Sequence, residues 1–349
     1  MGLNIFEPEI SKVSKGLEGK TLLIYGTNST GKTLNATKAK KPYYLGFEAG
    51  INAIPGVPFA RIQRWADFIK INKQLTNPTT LDKARSMYST LIFDTAKMAG
   101  IMCQQYICTK FDAETIASGN KGFGLWKEYE TEIYTQINLL TSCGYTVIFI
   151  SQEGERKFND ENGEEYAKLY PAGDKRTIDP ICDLVDIIGY AKINGLDENG
   201  REIPSSLYLR QTKEYHARSR FQYMTPYLEA FTMENLEKAI ADAITEEEKH
   251  NTGSTVDYNQ FKESQETKSL SYDELMKEIG SFAEGISASN EINDDEREEL
   301  ATEYIEIVEN YLGTGKKVSE ASKKQAEQLE LILFDLQRNE KLSKLKLEG

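Results

Sequence analysis

Residues 21–33 read TLLIYGTNSTGKT, an apolar run that passes into a glycine-rich segment and ends in lysine and threonine. From Gly26 to Thr33 the segment fits the G-x-x-x-x-G-K-[ST] pattern in full. Glycines let the backbone curl so that successive N–H groups point at phosphate oxygens, and the lysine adds a mobile positive charge. The sequence therefore predicts an ATP-binding loop made of Gly26, Thr27, Asn28, Ser29, Thr30, Gly31, Lys32 and Thr33.

A magnesium site is predicted beside this loop, from the stretch STLIFDT (89–95). Its apolar run ends in Asp94, which puts a carboxylate at the C-terminal edge of a sheet, where ligands gather in open α/β folds. We expect the Thr33 hydroxyl to bind Mg²⁺ directly and Asp94 to bind it through water. An aspartate after a strand is also a common turn residue, and the preceding phosphate loop is what favours the metal role.

Three catalytic residues are predicted at the same edge: Lys32, Glu48 and Gln152. Within YYLGFEAG (43–50), Glu48 directly follows the strand-like residues 43–47, where a carboxylate can orient and deprotonate a water. Such a group favours hydrolysis over transfer to an acceptor, although a surface glutamate at a helix start is the alternative. Gln152 closes TVIFISQ (146–152), where its amide can sense the γ-phosphate and pass that state to the polar segment behind it by an order–disorder switch.

The first 240 residues alternate apolar runs with amphipathic stretches, which predicts an α/β fold with a mainly parallel sheet flanked by helices. Within WKEYETEIYTQINLL (126–140), apolar residues three or four apart form one helix face, and Trp126 is interpreted as a core residue of that face. The candidate strands are 21–25, 42–47, 59–63, 89–94, 146–151, 184–193 and 205–213.

Charge separates the two ends of the chain. Residues 1–240 carry 29 Lys and Arg and 29 Asp and Glu, so the whole formal net charge of −13 lies beyond residue 240. We predict a core at 1–240, a flexible polar linker at 246–270 and an acidic helical bundle at 271–349. Capping boxes at SYDE (271–274) and NDDE (293–296) mark two of its helix starts, and a third helix is expected from about 318 to 345.

The bulk composition predicts a cytoplasmic protein without a membrane span. No apolar run approaches the roughly 18–20 residues that a span needs, and the N-terminus lacks the apolar core of a signal peptide. The four cysteines have neither zinc nor disulfide spacing, which is typical of buried, inert thiols in a reducing compartment.

The order of these parts resembles the RecA-like P-loop ATPases. The phosphate loop, the glutamate after the next strand, the strand ending in Asp94-Thr95 and the strand ending in Ser151-Gln152 carry the likeness. More narrowly, the early phosphate loop and the segment NKGFGLWKEYETEIYTQINLLTSCGYTVIFISQE (120–153) are similar to short phage ATPases of single-strand annealing and recombination. The resemblance covers about 18–230. It implies that Glu48 activates water, Asp94 serves Mg²⁺, Gln152 couples nucleotide to DNA, and subunits assemble as rings or filaments.

Two segments at the C-terminal edge are candidates for single-stranded DNA, because cations suit phosphates and aromatic rings suit bases. They are expected to be long loops, at about 98–125 and 153–180. The second segment also carries acidic residues, which favour a surface hairpin at NDENGEE (159–165) or protein docking as its alternative: Glu153, Glu155, Asp160, Glu161, Glu164 and Glu165. The candidate DNA contacts are Lys110, Phe111, Lys121, Phe123, Arg156, Lys157, Phe158, Lys175 and Arg176.

A basic cluster follows the last strand, in LRQTKEYHARSRF (209–221). The resemblance implies that a cation near this position reaches the γ-phosphate held by a neighbouring subunit. Lys213, Arg218 and Arg220 are the candidates, and a solvated surface strand is the alternative.

Together these features predict an ATP- and Mg²⁺-dependent ATPase that binds single-stranded DNA in phage recombination or annealing. An alternative is a nucleotide-gated regulator or loader that docks replication proteins with little DNA contact. A small-molecule kinase is a second alternative. The acidic C-terminal region is a candidate docking surface for a single-strand-binding or replication protein.

Overall fold

The structure, a computed structural model, describes residues 10–265, 270–290 and 292–345. The described residues divide into two compact units, 10–265 and the part that follows residue 269. The strands in chain order are β1 (Val13–Ser14), β2 (Thr21–Gly26), β3 (Pro42–Gly46), β4 (Phe59–Arg61), β5 (Thr90–Asp94), β6 (Thr146–Asn159), β7 (Glu165–Pro171), β8 (Ile187–Lys192), β9 (Ser206–Tyr208), β10 (Arg218–Ser219), β11 (Tyr227–Leu228) and β12 (Thr255–Val256).

The helices are divided between the two units. Those of the first unit are α1 (Lys32–Ala36), α2 (Trp65–Thr76), α3 (Leu81–Met87), α4 (Ala96–Lys110), α5 (Trp126–Ser142), α6 (Lys175–Leu184), α7 (Met233–His250) and α8 (Tyr258–Gln265). Those of the second unit are α9 (Tyr272–Ala288), α10 (Asp294–Leu312) and α11 (Ala326–Arg338). No helix among the described residues is both long enough and apolar enough to cross a membrane.

The main sheet has the strand order β11-β9-β8-β2-β6-β5-β3-β4. The six strands from β8 to β4 run parallel, whereas β9 and β11 are antiparallel to their neighbours. Because parallel strands end at one edge, the ends of β2, β3 and β5 meet there, and the predicted α/β fold is confirmed.

Apolar burial on both faces explains why the strands read as continuous hydrophobic runs. All six residues of β2 are buried, with side chains alternating between two cores. One core is closed by α2, α4, α5 and α6 and the other by α7. On α5 the expected apolar face is fully buried at Tyr129, Ile133 and Ile137. Trp126, expected in the core, is only half-buried at the helix start and packs against the core margin.

The two segments expected to be long loops have regular structure. The first is helix α4, followed by a connection in which Ile116 and Leu125 are buried. In the second, β6 continues past Gln152 and pairs with β7 as an antiparallel hairpin, so the hairpin alternative at NDENGEE is the one observed. Side chains from 154 to 159 alternate between half-buried and exposed, which is the pattern of a strand rather than of a loop.

The first unit extends past the expected boundary at residue 240. Helix α7 runs to His250, β12 pairs in parallel with β1, and α8 follows. The Tyr258 hydroxyl donates to the Gly144 carbonyl, and its ring lies against Gly19. Backbone pairing and one aromatic anchor thus fold a segment, 246–265, whose polarity suggested a linker. Residues 266–269 of that expected linker, as well as 1–9, 291 and 346–349, lie outside the described residues.

The second unit is a small helical bundle. Its core comprises apolar side chains of all three helices, among them Leu275, Phe282, Leu300 and Leu329. Both expected capping boxes are present, with Ser271 bonded to Glu274 and Asn293 to Glu296. The third helix is shorter than expected, because α11 occupies 326–338 and short 3-10 turns flank it.

Candidate nucleotide-binding site

The phosphate loop follows β2 and precedes α1. Gly26 lies opposite Gln152 on one side and Ala191 on the other. Its φ is 151°, and a Cβ there would lie 2.1 Å from the Ala191 carbonyl oxygen, so only glycine fits. Gly31 has a φ of 73° where α1 begins. The loop therefore requires glycine at both glycine positions of the motif.

Lys32 is buried, and its ammonium is bound by neutral oxygens of its own loop. Nζ donates to the carbonyls of Gly26 at 2.9 Å and Thr27 at 2.5 Å, and to the Thr30 hydroxyl at 3.1 Å. Burial lowers the pKa of Lys32 to about 8. No carboxylate of the described residues lies within ion-pair distance of this ammonium. Since buried charges are normally paired, this ammonium fits an anion such as a phosphate.

The complementary charge is Asp94, a carboxylate that is 4% exposed at the end of β5. Its Oδ2 accepts hydrogen bonds from Thr33 Oγ1 at 2.7 Å and from the Tyr44 hydroxyl at 3.1 Å. Burial raises the pKa of Asp94, and these two hydrogen bonds oppose the rise. Both donors are neutral, so the buried carboxylate has no cation among the described residues at ion-pair distance.

A magnesium ion fits this donor set. Hydroxyl and carboxylate oxygens are the hard ligands that Mg²⁺ prefers, and it commonly uses one or two protein groups together with water and phosphate oxygens. No group of three His, Cys, Asp or Glu side chains that could hold a metal occurs in the described ranges. Thr33 and Asp94 would therefore hold Mg²⁺ only together with a bound nucleotide.

Glu48 lies next to Asp94 and is held there by a threonine. Thr95 Oγ1 donates to Glu48 Oε1 at 2.5 Å, and Thr95 is also the N-cap of α4. The charge of Glu48 adds to the rise in the pKa of Asp94. The carboxylate of Glu48 is half-buried at the sheet edge, where it can accept a proton from a water.

Gln152 occupies the strand between β2 and β5. Its register partner is Gly26, the first residue of the phosphate loop, and its own carbonyl accepts from the Ala172 N–H at 2.8 Å. Ser151 Oγ donates to the Ala172 carbonyl at 2.9 Å. The strand that carries Gln152 is thus bonded to Ala172, the residue after β7 at the base of the hairpin.

Most candidate DNA contacts of the second segment already have partners in the chain. The Arg156 guanidinium lies 4.0 Å from the Tyr170 ring centroid and 2.5 Å from Asp179 Oδ1. Lys157 pairs with Glu165 at 2.7 Å, and Arg176 stacks on Trp126 at 4.2 Å. The other two residues of this segment are the half-buried Phe158 and the exposed Lys175.

The candidates of the first segment lie on other elements. Lys110 ends α4, with its ammonium 5.6 Å from the ring centroid of Phe111. Lys121 and Phe123 lie in the connection to α5, where Phe123 is 84% exposed. The DNA candidates therefore do not form one continuous cluster.

Two of the three candidate neighbour-reaching cations serve the chain itself. Arg218 pairs with Ile188 near the start of β8, and its guanidinium donates to the carbonyls of Cys182 at 2.5 Å and Val185 at 2.9 Å. Arg220 donates to the Asp183 carbonyl and lies 3.5 Å from Asp186. Both lie toward the edge opposite the phosphate loop. Lys213 and Arg220 are exposed, and of these two only Lys213 has no ion-pair partner within 4 Å among the described residues.

Sequence reasoning missed a groove beside the catalytic edge. A cavity of about 480 Å³ lies between the start of α4 and the base of the β6–β7 hairpin. We call it the hairpin groove, and its lining includes Lys97, Gln104, Arg156, Tyr170 and Asp174. Lys97 is exposed in the first turn of α4, three residues after Asp94. An isolated lysine in an amphipathic stretch carries no signal, since only the hairpin places it in a groove.

Comparison with known proteins agrees with this geometry. The model of a family described as AAA domain matches residues 18–221. The chain is also similar to the SPbeta prophage-derived uncharacterized protein YorG of Bacillus subtilis (strain 168). The two are 45% identical over 339 residues, which cover 96% of this chain and 98% of that protein.

Proposed function

The chain belongs to the AAA domain family of P-loop ATPases, and on that premise we propose that it is an ATP-dependent single-stranded-DNA-binding protein. Its proposed role is in phage DNA recombination or strand annealing, with ATP hydrolysis cycling the grip on DNA. The similarity to a prophage protein supports the phage setting.

One observation carries the proposal: one β-strand joins the phosphate edge to a groove whose lining holds two cations and a tyrosine together with the carboxylates of Glu155 and Asp174. Strand β6 runs without a break from Thr146 through Gln152 to Asn159. Four residues beyond Gln152 it presents Arg156 to the hairpin groove. A change in the contacts of Gln152 with nucleotide would therefore be passed on along a continuous backbone. This rigid coupling replaces the order–disorder switch expected from the sequence.

The chemistry of the edge supports hydrolysis. Lys32 would hold the β- and γ-phosphates, and Glu48 would take a proton from the water that attacks the γ-phosphorus, giving ADP and phosphate. Thr33 and Asp94 would hold Mg²⁺, which supplies positive charge to the phosphates when bound. A water-activating carboxylate disfavours the small-molecule kinase alternative, because water would compete with the acceptor.

The hairpin base, rather than its tip, is the proposed DNA contact. At the base, Arg156 stacks on Tyr170, and the Tyr170 ring also stacks on the His216 ring at 4.6 Å between centroids. Lys97 faces the same groove, so cations and an aromatic ring converge there as a single strand requires. Lys175 and Arg176 begin the helix that follows the groove.

Assembly into a ring or filament belongs to the same proposal. Lys213 is the candidate that would reach a neighbouring subunit, because it is exposed and makes no ion pair with the described residues. Arg218 and Arg220 are poorer candidates, since their guanidinium groups are bound to carbonyls of their own chain.

A second candidate function is a nucleotide-gated regulator that docks replication proteins. Four acidic residues at the hairpin tip favour it, and carboxylates there would repel nucleic acid. They are Asp160, Glu161, Glu164 and Glu165. The acidic helical bundle, expected to dock a single-strand-binding or replication protein, supports the same function.

Salt-dependent binding separates the two functions. The measurement is the fluorescence anisotropy of a labelled oligo-dT, with Mg²⁺ and a slowly hydrolysed ATP analogue present. The salt concentration is varied over about 50–200 mM, a range in which phosphate contacts lower the affinity steeply as salt rises. The proposal expects binding that weakens steeply with salt, and a shallower slope, by about 0.7 per lost contact, for Lys97→Gln. Lys83→Gln, an exposed lysine on α3, is the control and should keep the slope. If the protein bound no oligo-dT with nucleotide present, the nucleotide-gated regulator would be the function that remains.

A further inference from the structure

Tyr44 is the second donor to the magnesium carboxylate, and nothing in the sequence motif singles it out. We propose that its hydroxyl is a positioning group, which holds Asp94 in the orientation that receives Mg²⁺ and joins Asp94 to the segment that carries Glu48. The proposal rests on the nucleotide-hydrolysis part of the proposed function and is independent of DNA binding.

The contact itself is direct. The Tyr44 hydroxyl donates to Asp94 Oδ2 at 3.1 Å, the same oxygen that accepts from Thr33 Oγ1 at 2.7 Å. Tyr44 is fully buried in the strand next to β5, so water cannot replace its hydroxyl. Two donors that converge on one oxygen fix the rotation of the carboxylate and direct its other oxygen away from both.

The backbone around Glu48 is shaped to admit the phenol. A Cβ at Gly46 would lie 2.6 Å from Tyr44 Cε1. A Cβ at Gly50 would lie 3.0 Å from the Tyr44 hydroxyl and 3.7 Å from Asp94 Oδ2. Gly46 and Gly50 therefore lie before and after Glu48 in the chain, at the two positions where a side chain would crowd the Tyr44 phenol. Tyr44 fills the space between the magnesium carboxylate and the turn that follows Glu48.

Loss of the hydroxyl alone should lower the affinity for Mg²⁺. Phenylalanine keeps the ring and its packing, so Tyr44→Phe leaves no cavity and removes only one donor to Asp94. Groups that orient metal ligands typically contribute about 10- to 100-fold to metal affinity. Among the described residues this hydroxyl bonds to Asp94 and makes no hydrogen bond with the phosphate loop, so nucleotide binding without metal should be unchanged.

The test is a binding titration with a fluorescent ADP analogue, over a series of Mg²⁺ concentrations and in EDTA. For Tyr44→Phe we expect the Mg²⁺ midpoint to rise about tenfold, with the EDTA affinity within about twofold of the wild type. Tyr43→Phe is the matched control, since it makes the same change at the neighbouring residue, whose ring stacks on Tyr88 at 4.5 Å. It should change neither quantity.

An unchanged Mg²⁺ midpoint in Tyr44→Phe would overturn the proposal, and so would an equal loss in EDTA, which would indicate a general role in the loop. Gly50→Ala is a second variant, because its added methyl presses on the hydroxyl, and it should raise the Mg²⁺ midpoint in the same direction. A wild type whose ADP affinity ignores Mg²⁺ would overturn the magnesium site altogether. That result is distinguishable from a failure of DNA binding, which would leave the Tyr44 effect intact.

Discussion

The Thr95 hydroxyl lies 2.5 Å from Oε1 of Glu48, so the residue that follows Asp94 holds the carboxylate that would activate water. Asp94 ends β5, Glu48 follows the neighbouring strand β3 by two residues, and Gly46 of β3 is in register with Asp94. Thr95 therefore connects the proposed metal site and the proposed base through one hydrogen bond.

Replacing Thr95 with valine should lower ATP turnover about tenfold or more, because a general base loses rate steeply when its orientation is lost. ADP affinity should be nearly unchanged, since Thr95 does not touch the phosphate loop. Steady-state turnover and ADP titration check the two parts. Thr95→Ser keeps the hydroxyl, and also the cap on α4, and should restore the rate. Equal turnover in the valine and serine variants would contradict the role of the hydroxyl.

Nucleotide affinity should fall as pH rises above about 8. Burial lowers the pKa of Lys32 in the free protein to about 8, so deprotonation removes the positive charge that phosphates require. The expected loss approaches tenfold per pH unit above that pKa. Fluorescent-ADP titrations between about pH 7 and pH 9.5 check it. An affinity that stays flat over this range would show that Lys32 remains charged.

The stability of the nucleotide-free protein should move in the opposite direction. In the unfolded chain Lys32 keeps a pKa near 10.5, so between about 8 and 10.5 the unfolded state binds more protons than the folded state. Stability therefore rises with pH across this window. Lys32→Met lacks this titration. The Tm of the wild type should therefore rise relative to the Tm of Lys32→Met between about pH 7 and 9.5. A constant difference in Tm would contradict the lowered pKa.

Arg218 should matter for folding rather than for a neighbour's ATP. Its guanidinium donates to two carbonyls near the end of α6, and loss of such charged hydrogen bonds costs about 2 kcal/mol or more. Arg218→Ala should therefore lower the Tm clearly, whereas Lys213→Ala should leave it unchanged. Thermal unfolding of both variants checks this. An unchanged Tm for Arg218→Ala would return Arg218 to the candidates for an interface role.

A chain that ends at Gln265 should keep the Tm and the ADP affinity of the first unit. A chain that ends at His250 should unfold about 4–8 °C lower, since it loses β12 and the buried contact of Tyr258. Calorimetry of the two truncated chains checks the boundary. Equal unfolding temperatures would indicate that the segment 251–265 is a linker after all.

The parallel sheet could be predicted from the sequence because its central strands are buried on both faces and read as unbroken apolar runs. The phosphate loop, Asp94 and Glu48 follow strand ends, and ends of parallel strands meet at one edge. The local sequence pattern and the topology of the sheet therefore both place these residues at one edge. For the segment of the β6–β7 hairpin the sequence predicts a loop, because its many polar residues hide the two-residue period of a strand.

The remaining site residues depend on contacts between distant parts of the chain. Tyr44 reaches Asp94 only through the register of β3 against β5, and it reads in the sequence as one more apolar strand residue. Arg218 looks like a free cation until β10 pairs with β8 and brings it to the end of α6. Similarly, Tyr258 anchors a segment whose composition alone suggests a linker.

Single-turnover hydrolysis by Glu48→Gln tests the central claim most directly. Glutamine keeps the size of the side chain but cannot take a proton, so ATP should bind with nearly wild-type affinity while the cleavage rate falls at least about 100-fold. Glu153→Gln is the matched control. Glu153 is a second carboxylate at the same edge, and it accepts a hydrogen bond from the Tyr190 hydroxyl at 3.1 Å. This variant should cleave ATP at a rate within about threefold of the wild type. Cleavage by Glu48→Gln at the rate of this control would contradict a water-activating role for Glu48.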